Sequence, residues 1–225
     1  MSDDGPPALP VEAVGRPGGL FIAFEGGEGA GKSTQVRLLC EWLTAQGRTA
    51  RATFEPGGTP TGAAVRAIVL DRAHTDLSPR AEALLYAADR AQHAHAVLHP
   101  ALAAGEVVVT DRYVDSSLAY QGAGRTIGLD DVAAISRWAT QGLRPDLTVL
   151  LDLPPETGLA RARGRAVADR LESESLEFHQ RVRDTFRTLA AAEPGRYLVV
   201  DATRGVEEIA ADVRERVGAL LEVRA

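Results

Sequence analysis

The stretch Gly26-Gly27-Glu28-Gly29-Ala30-Gly31-Lys32-Ser33 constrains this chain more than any other. It follows the apolar run Leu20-Phe21-Ile22-Ala23-Phe24 and leads into an amphipathic segment from Thr34 to Ala45. Strand, glycine turn and helix in that order, spaced G-x-x-x-x-G-K-S, make a phosphate-binding P-loop. Glycines let successive backbone N–H groups curl around an anion without Cβ clashes, and the following helix points its positive end at the same place. Lys32 is expected to bridge the terminal phosphates, and Ser33 to offer its hydroxyl to Mg²⁺. Lys32 is also the one lysine among 25 basic residues, kept where a compact ammonium must fit a tight loop.

With 225 residues, a single α/β domain with ample core is expected. No apolar run reaches the roughly 20 residues of a membrane span. Residues 1–18 hold Pro6, Pro7, Pro10 and Pro17 without the basic-then-apolar layout of a signal peptide; they read as a disordered leader, with a partner tether as the alternative. Cys40 is the single cysteine, so no intrachain disulfide forms and a reducing cytoplasm fits; the residue itself reads as core. A net charge of −6 argues against long nucleic acid as a partner but not against a small nucleotide met by a local arginine cluster.

Apolar runs alternate with helical patterns, which predicts a parallel sheet with crossover helices. Strands are expected over Leu20–Glu25, Thr49–Phe54, Val107–Thr110, Leu147–Leu151 and Arg196–Val200. Helices are expected over Thr34–Gln46, Gly62–Leu70, Arg80–Ala104, Asp130–Gln141 and Val206–Leu221, with a loop and short helix from Asp111 to Gln121. In an open α/β sheet the site gathers outside the carboxyl ends of the strands. The glycine loop, Glu55, Asp111, Arg112 and Asp152 are therefore expected on one rim.

Asp111 ends the third strand and can hold a Mg²⁺ water shell beside the P-loop; a surface ion pair with Arg112 is the plainer alternative. Asp152 ends another strand and either shares that work or only shapes the turn at Leu153-Pro154-Pro155. Arg161, Arg163, Arg165 and Arg170 form a second cluster, able to close over a transferring phosphoryl group or to lie as a solvated face beside Glu172, Glu174 and Glu177. Tyr86 and Arg90 are four apart and share a helix face, where they either stack a base and bond a ring carbonyl or simply pack. His95 and His99 have a ligand-like spacing, but no accompanying motif supports a metal site there.

Taken together, Phe24 to Thr34, Glu55-Pro56-Gly57-Gly58-Thr59, Asp111-Arg112-Tyr113, Ser116-Ser117, Ala119-Tyr120-Gln121-Gly122 and Asp169-Arg170-Leu171-Glu172 resemble bacterial thymidylate kinases. That resemblance implies a three-layer P-loop NTPase fold over residues 19–225, with a five-stranded parallel sheet between helices and a lid at about 161–172. It implies phosphorylation of dTMP to dTDP by ATP with Mg²⁺, in dTTP synthesis, by a cytoplasmic homodimer. By position, Gly26 through Thr34 bind ATP, Ser33 and Asp111 organise the metal, and Lys32, Asp111, Arg112, Arg163 and Arg165 are catalytic. Glu28 meets the sugar 3′-hydroxyl, Arg112 grips the acceptor phosphate, and Glu55, Pro56, Tyr86, Arg90, Ser117, Tyr120 and Gln121 complete the acceptor pocket. Tyr120 crowds the ribose 2′ position. Two departures stand out: Tyr86 replaces the usual phenylalanine, and Phe54 stands where many relatives carry arginine, which shifts weight to Arg112. The rivals are another nucleoside monophosphate kinase on this fold and an NTP-binding switch.

Overall fold

A computed structural model describes residues 19–163 and 170–223, the side chain of Arg163 excepted. The expected leader, Arg165 and Asp169 lie outside the described residues. Five parallel strands form one sheet in the order β2-β3-β1-β4-β5. They are β1 (Leu20–Glu25), β2 (Ala50–Phe54), β3 (Val107–Asp111), β4 (Leu147–Asp152) and β5 (Tyr197–Asp201). Helices α1 (Lys32–Ala45), α2 (Pro60–Leu70), α3 (Pro79–His93), α4 (His99–Ala103), α5 (Val114–Ser117), α6 (Leu129–Thr140), α7 (Pro155–Arg163), α8 (Leu176–Ala192) and α9 (Val206–Val223) cover its two faces.

The central strand is hydrophobic on both sides because both sides are covered. Ile22 and Phe24 pack with Val36, Leu39 and Leu43 of α1 and Val213 and Val217 of α9. Phe21 and Ala23, one residue out of phase, face Leu98, Leu102 and Tyr113. Cys40 is half-buried against the first of these clusters, and burial raises its thiol to about 11, which leaves it an inert packing residue.

Helix starts follow local chemistry. The Thr59 hydroxyl caps α2 by accepting from Gly62 N, and Ser78 caps α3 by accepting from Ala81 N; each is followed by a proline at the first helical position. Helix α1 is different: Gly31, left-handed at φ 93°, precedes it and no side chain caps it, so its first N–H groups are left for an anion. The helix expected over Arg80–Ala104 is α3 and α4 joined by one π-helical turn at Ala94–Leu98, and a second π-helical stretch, Leu118–Gly124, occupies the expected loop region.

Register places the rim. Phe24 and Phe54 both pair across from Asp111, so the P-loop, Glu55 and Arg112 leave the sheet side by side. β1 lies where the strand order reverses, between β3 and β4, which opens the crevice there. The P-loop also touches α7 backbone to backbone. A Cβ on Gly158 would stand 2.3 Å from the Glu28 carbonyl oxygen, and one on Gly29 would stand 2.2 Å from the Gly158 carbonyl oxygen. Gly158→Ala is therefore expected to lower stability by about 1–3 kcal/mol, read as a reduced denaturant midpoint with an unchanged slope; a wild-type midpoint would contradict the contact.

Candidate active site

Lys32 is buried, and its Nζ donates to the carbonyls of Gly26 (3.1 Å) and Gly27 (2.9 Å), which folds the ammonium back over the loop. Burial and Arg112 pull its pKa down, while Asp111, Glu28 and Glu25 push it up. One residue on, Ser33 Oγ donates to Asp111 Oδ2 at 2.6 Å, across 78 residues of chain. A hydroxyl and a carboxylate oxygen at the mouth of a P-loop are hard donors that fit Mg²⁺.

Arg112 follows Asp111 in a left-handed conformation, φ 71°, which turns the chain sharply off the strand. Its Nη2 donates to Glu28 Oε1 (2.6 Å) and to the Tyr120 hydroxyl (3.2 Å); its Nη1 donates to Gly26 O and to Ser116 Oγ, each at 3.2 Å. The Tyr120 hydroxyl in turn donates to Glu28 Oε1 at 2.8 Å. Burial alone would raise the Glu28 pKa, but Arg112, Lys32 and the Tyr120 hydroxyl outweigh it and hold the carboxyl at about 2. Glu25, three residues upstream, goes the other way. Burial, then Asp115, raises it to about 7, although Tyr113 N (2.8 Å), Ser116 N (3.1 Å) and Ser116 Oγ (2.6 Å) all donate to it. Glu25 thus anchors the turn that aims Arg112.

Two cavities meet at these groups. A cleft of about 1080 Å³ is lined by Glu28 through Thr34, by α1 and by the end of β2. A pocket of about 180 Å³ beside it is lined by Pro56, Tyr86, Arg90, Ser117, Tyr120 and Gln121. Glu28, Glu55, Arg66, Arg112 and Glu172 line both. In the smaller pocket Arg90 is locked: Nε donates to Glu55 Oε2 (2.7 Å), Nη1 to Ser117 Oγ (3.0 Å) and Nη2 to Tyr113 O (3.1 Å). The other Glu55 oxygen meets His93 Nδ1 at 2.8 Å, and His93 Nε2 meets the Thr53 hydroxyl at 2.7 Å. His93 is thus part of the wall behind the pocket, while His95 is exposed.

The sequence matches a known family along most of its length. The family model for thymidylate kinase covers residues 24–213. The chain belongs to the thymidylate kinase family. A thymidylate kinase from Leifsonia xyli is 59% identical over 88% of this chain and 94% of its own length, and one from Deinococcus radiodurans is 54% identical over 87% and 94%. The crystal structure of a thymidylate kinase from Ehrlichia chaffeensis superposes with a TM-score of 0.73 at 29% identity, covering 89% of this chain and 99% of that one.

Within this thymidylate kinase family member, most of the residues expected from sequence lie around the two cavities. Three readings change. Asp152 is held by Arg183, with Nε to Oδ1 at 2.7 Å and Nη2 to Oδ2 at 3.0 Å, so its carboxylate is engaged in an ion pair at the end of β4. Of the arginine cluster, the two side chains among the described residues have separate partners: Arg161 donates to Ala202 O (3.0 Å), and Arg170 donates to Val69 O (2.9 Å) and Glu82 Oε2 (2.6 Å). The loss of positive charge at Phe54 is met nearby, because the Arg66 guanidinium lies 5.9 Å from the Phe54 ring centre, donates to Pro56 O at 2.8 Å and lines both cavities. Arg66, Glu25 and Glu82 were not singled out from sequence. Arg66 lies on α2, where an arginine on a helix face gives no motif signal, and Glu25 reads as the end of an apolar strand.

The depressed Glu28 pKa has a pH signature. Its stabilisation is fully present above the ordinary carboxyl value of 4.5 and fades as pH falls towards about 2. It amounts to on the order of 3 kcal/mol. The stability gap between wild type and Glu28→Gln, measured in urea, is expected to be wide at pH 6 and to close steadily below pH 4.5; a gap independent of pH would contradict the pairing with Arg112.

Proposed function

We propose that this protein transfers the γ-phosphoryl group of ATP directly to the phosphate of dTMP, in the presence of Mg²⁺, as a step in dTTP synthesis. The observation that carries the reading is the pair of cavities with one shared wall, a large cleft on the P-loop and a small pocket behind it, meeting at Arg112 and Glu28.

Lys32 and the uncapped start of α1 hold the donor phosphates. Ser33 and Asp111 would hold Mg²⁺, which supplies charge neutralisation on those phosphates. Arg112 takes the acceptor phosphate and Glu28 the sugar 3′-hydroxyl, with Tyr120 beside both. Tyr86, Arg90, Ser117 and Gln121 surround the base, with Glu55 and Pro56 closing the rim. The second pKa of a phosphate monoester is about 6, so the attacking oxygen is already ionised near neutral pH and no general base is required. Catalysis is positioning plus fixed positive charge. Arg163 and Arg165 complete that charge from the lid; Ala162, the residue before Arg163, lines the donor cleft.

The enzyme also pairs with a second copy of itself. Leu84 on α3 is 57% exposed, Ile68 on α2 39% and Trp138 on α6 82%, and α3 packs against both other helices. Apolar side chains on three neighbouring helices favour a buried interface. The protein works in the cytoplasm, where its single cysteine needs no partner; no helix among the described residues is long and apolar enough to cross a membrane.

A coupled ADP-release assay tests the activity across dTMP, dUMP, dCMP, dGMP and thymidine. Fast turnover with dTMP is expected, and Arg112→Ala should lower kcat/KM at least about 100-fold. Preference for another acceptor would favour a different nucleoside monophosphate kinase, and nucleotide hydrolysis without acceptor would favour a switch. For the pairing, sedimentation is expected to give twice the chain mass in wild type and a single-chain mass for Leu84→Glu.

A further inference from the structure

Glu82 lies in the first turn of α3 and is wholly buried. Its Oε1 accepts from Gln121 Nε2 at 2.9 Å and from Arg125 Nε at 3.3 Å; its Oε2 accepts from Arg170 Nη2 at 2.6 Å. The contact with Gln121 has a chemical consequence. A primary amide offers two donors on one side and an acceptor on the other, and its two orientations have nearly the same shape. A carboxylate only accepts. Glu82 therefore draws the NH₂ group of Gln121 to itself and leaves Oε1 as the face turned to the small pocket, which Gln121 lines. Among the described residues no group donates to that oxygen.

Arg90 also lines this pocket. Three of its N–H groups are engaged by Glu55, Ser117 and Tyr113, and among the described residues no other group accepts from its remaining two donors. One acceptor and one donor in the same pocket match a ring edge with an N–H beside a carbonyl, as in thymine or uracil. Cytosine inverts both groups: its N3 lone pair would face the Gln121 oxygen, and its exocyclic NH₂ would face the guanidinium. A buried mismatch of this kind leaves polar groups unpaired and discriminates strongly.

We propose that Glu82 is a specificity-determining positioning residue: by fixing the Gln121 amide in one orientation, it makes the pocket read a protonated ring nitrogen and so select a 2,4-dioxopyrimidine over cytosine. The proposal rests on the dTMP reading above. Glu82→Gln is nearly isosteric but can donate, which frees the Gln121 amide to turn over. The measurement is kcat/KM for dTMP and for dCMP in the full-length enzyme. The ratio between them is expected to fall at least about tenfold in Glu82→Gln, carried by KM for the monophosphate, with KM for ATP within about twofold of wild type.

Because Glu82 also holds Arg170, Arg170→Ala is the matched control: it removes that contact without touching the amide and is expected to keep the wild-type ratio whatever its turnover. A folded Glu82→Gln enzyme with the wild-type ratio overturns the proposal, as does an equal fall in Arg170→Ala. Should Glu82→Gln not fold, Glu82→Asp serves, since its carboxylate stops a methylene short of Gln121; the same ratio should fall, and a wild-type ratio overturns the proposal again. A wild-type protein inactive on dTMP defeats the functional reading and this inference together. An active wild type with an unmoved ratio in the variants defeats only the inference.

Discussion

The ion pair between Arg112 and Glu28, 2.6 Å long, is the interaction on which the site depends. It joins the loop after β1 to the turn after β3, the two segments that the sheet register brings out side by side. Both partners are largely removed from water, so neither charge is tolerable alone. Burial works against the charge on Arg112, yet Glu28, Tyr120 and Asp111 hold its pKa well above the usual value. The left-handed backbone of Arg112 is the conformational cost of aiming a guanidinium back over the P-loop, and the carboxylate of Glu25 beneath the turn helps to meet it.

Glu25 and Glu28 illustrate how little the residue type decides. They are three positions apart on the same segment, yet one sits at about 7 and the other at about 2. Glu28 faces a guanidinium, an ammonium and a phenol. Glu25 faces backbone N–H groups and a serine, with the Asp115 carboxylate near enough to oppose its ionisation. The first environment favours charge enough to overcome burial, and the second does not. A single strand end thereby supplies a permanently ionised group to the cavities and a largely desolvated one to the frame behind them.

Much of this was legible in the sequence because the relevant signals are local. The glycine spacing, the buried strands and the polar strand ends specify the parallel sheet and one rim, and the family resemblance assigns roles along it. Strand order was not legible, since nothing in the residues of β2 states that it pairs with β3 rather than β1. Nor were contacts between distant segments. Asp152 ends an apolar strand just as Asp111 does, and only the approach of Arg183 from α8 separates an ion pair from a metal-binding candidate. Arg161 and Arg170 belong to one charged run, yet their partners lie on different elements, the Ala202 carbonyl after β5 and Glu82 on α3. Charge clusters are read along the chain, whereas hydrogen-bond partners are set across it.

The contact between the P-loop and α7 is built from main chain alone. A Cβ on Gly29 would meet the Gly158 carbonyl and one on Gly158 the Glu28 carbonyl, so the closest approaches are all main chain. Such a joint has no adjustable component. A pair of packed leucines can drift to isoleucine and methionine and still fit, but here the smallest possible addition, one methyl group on either partner, already collides. Sequence variation at this joint is therefore closed to gradual exploration, and the P-loop and α7 are held in fixed register by two residues with nothing to vary.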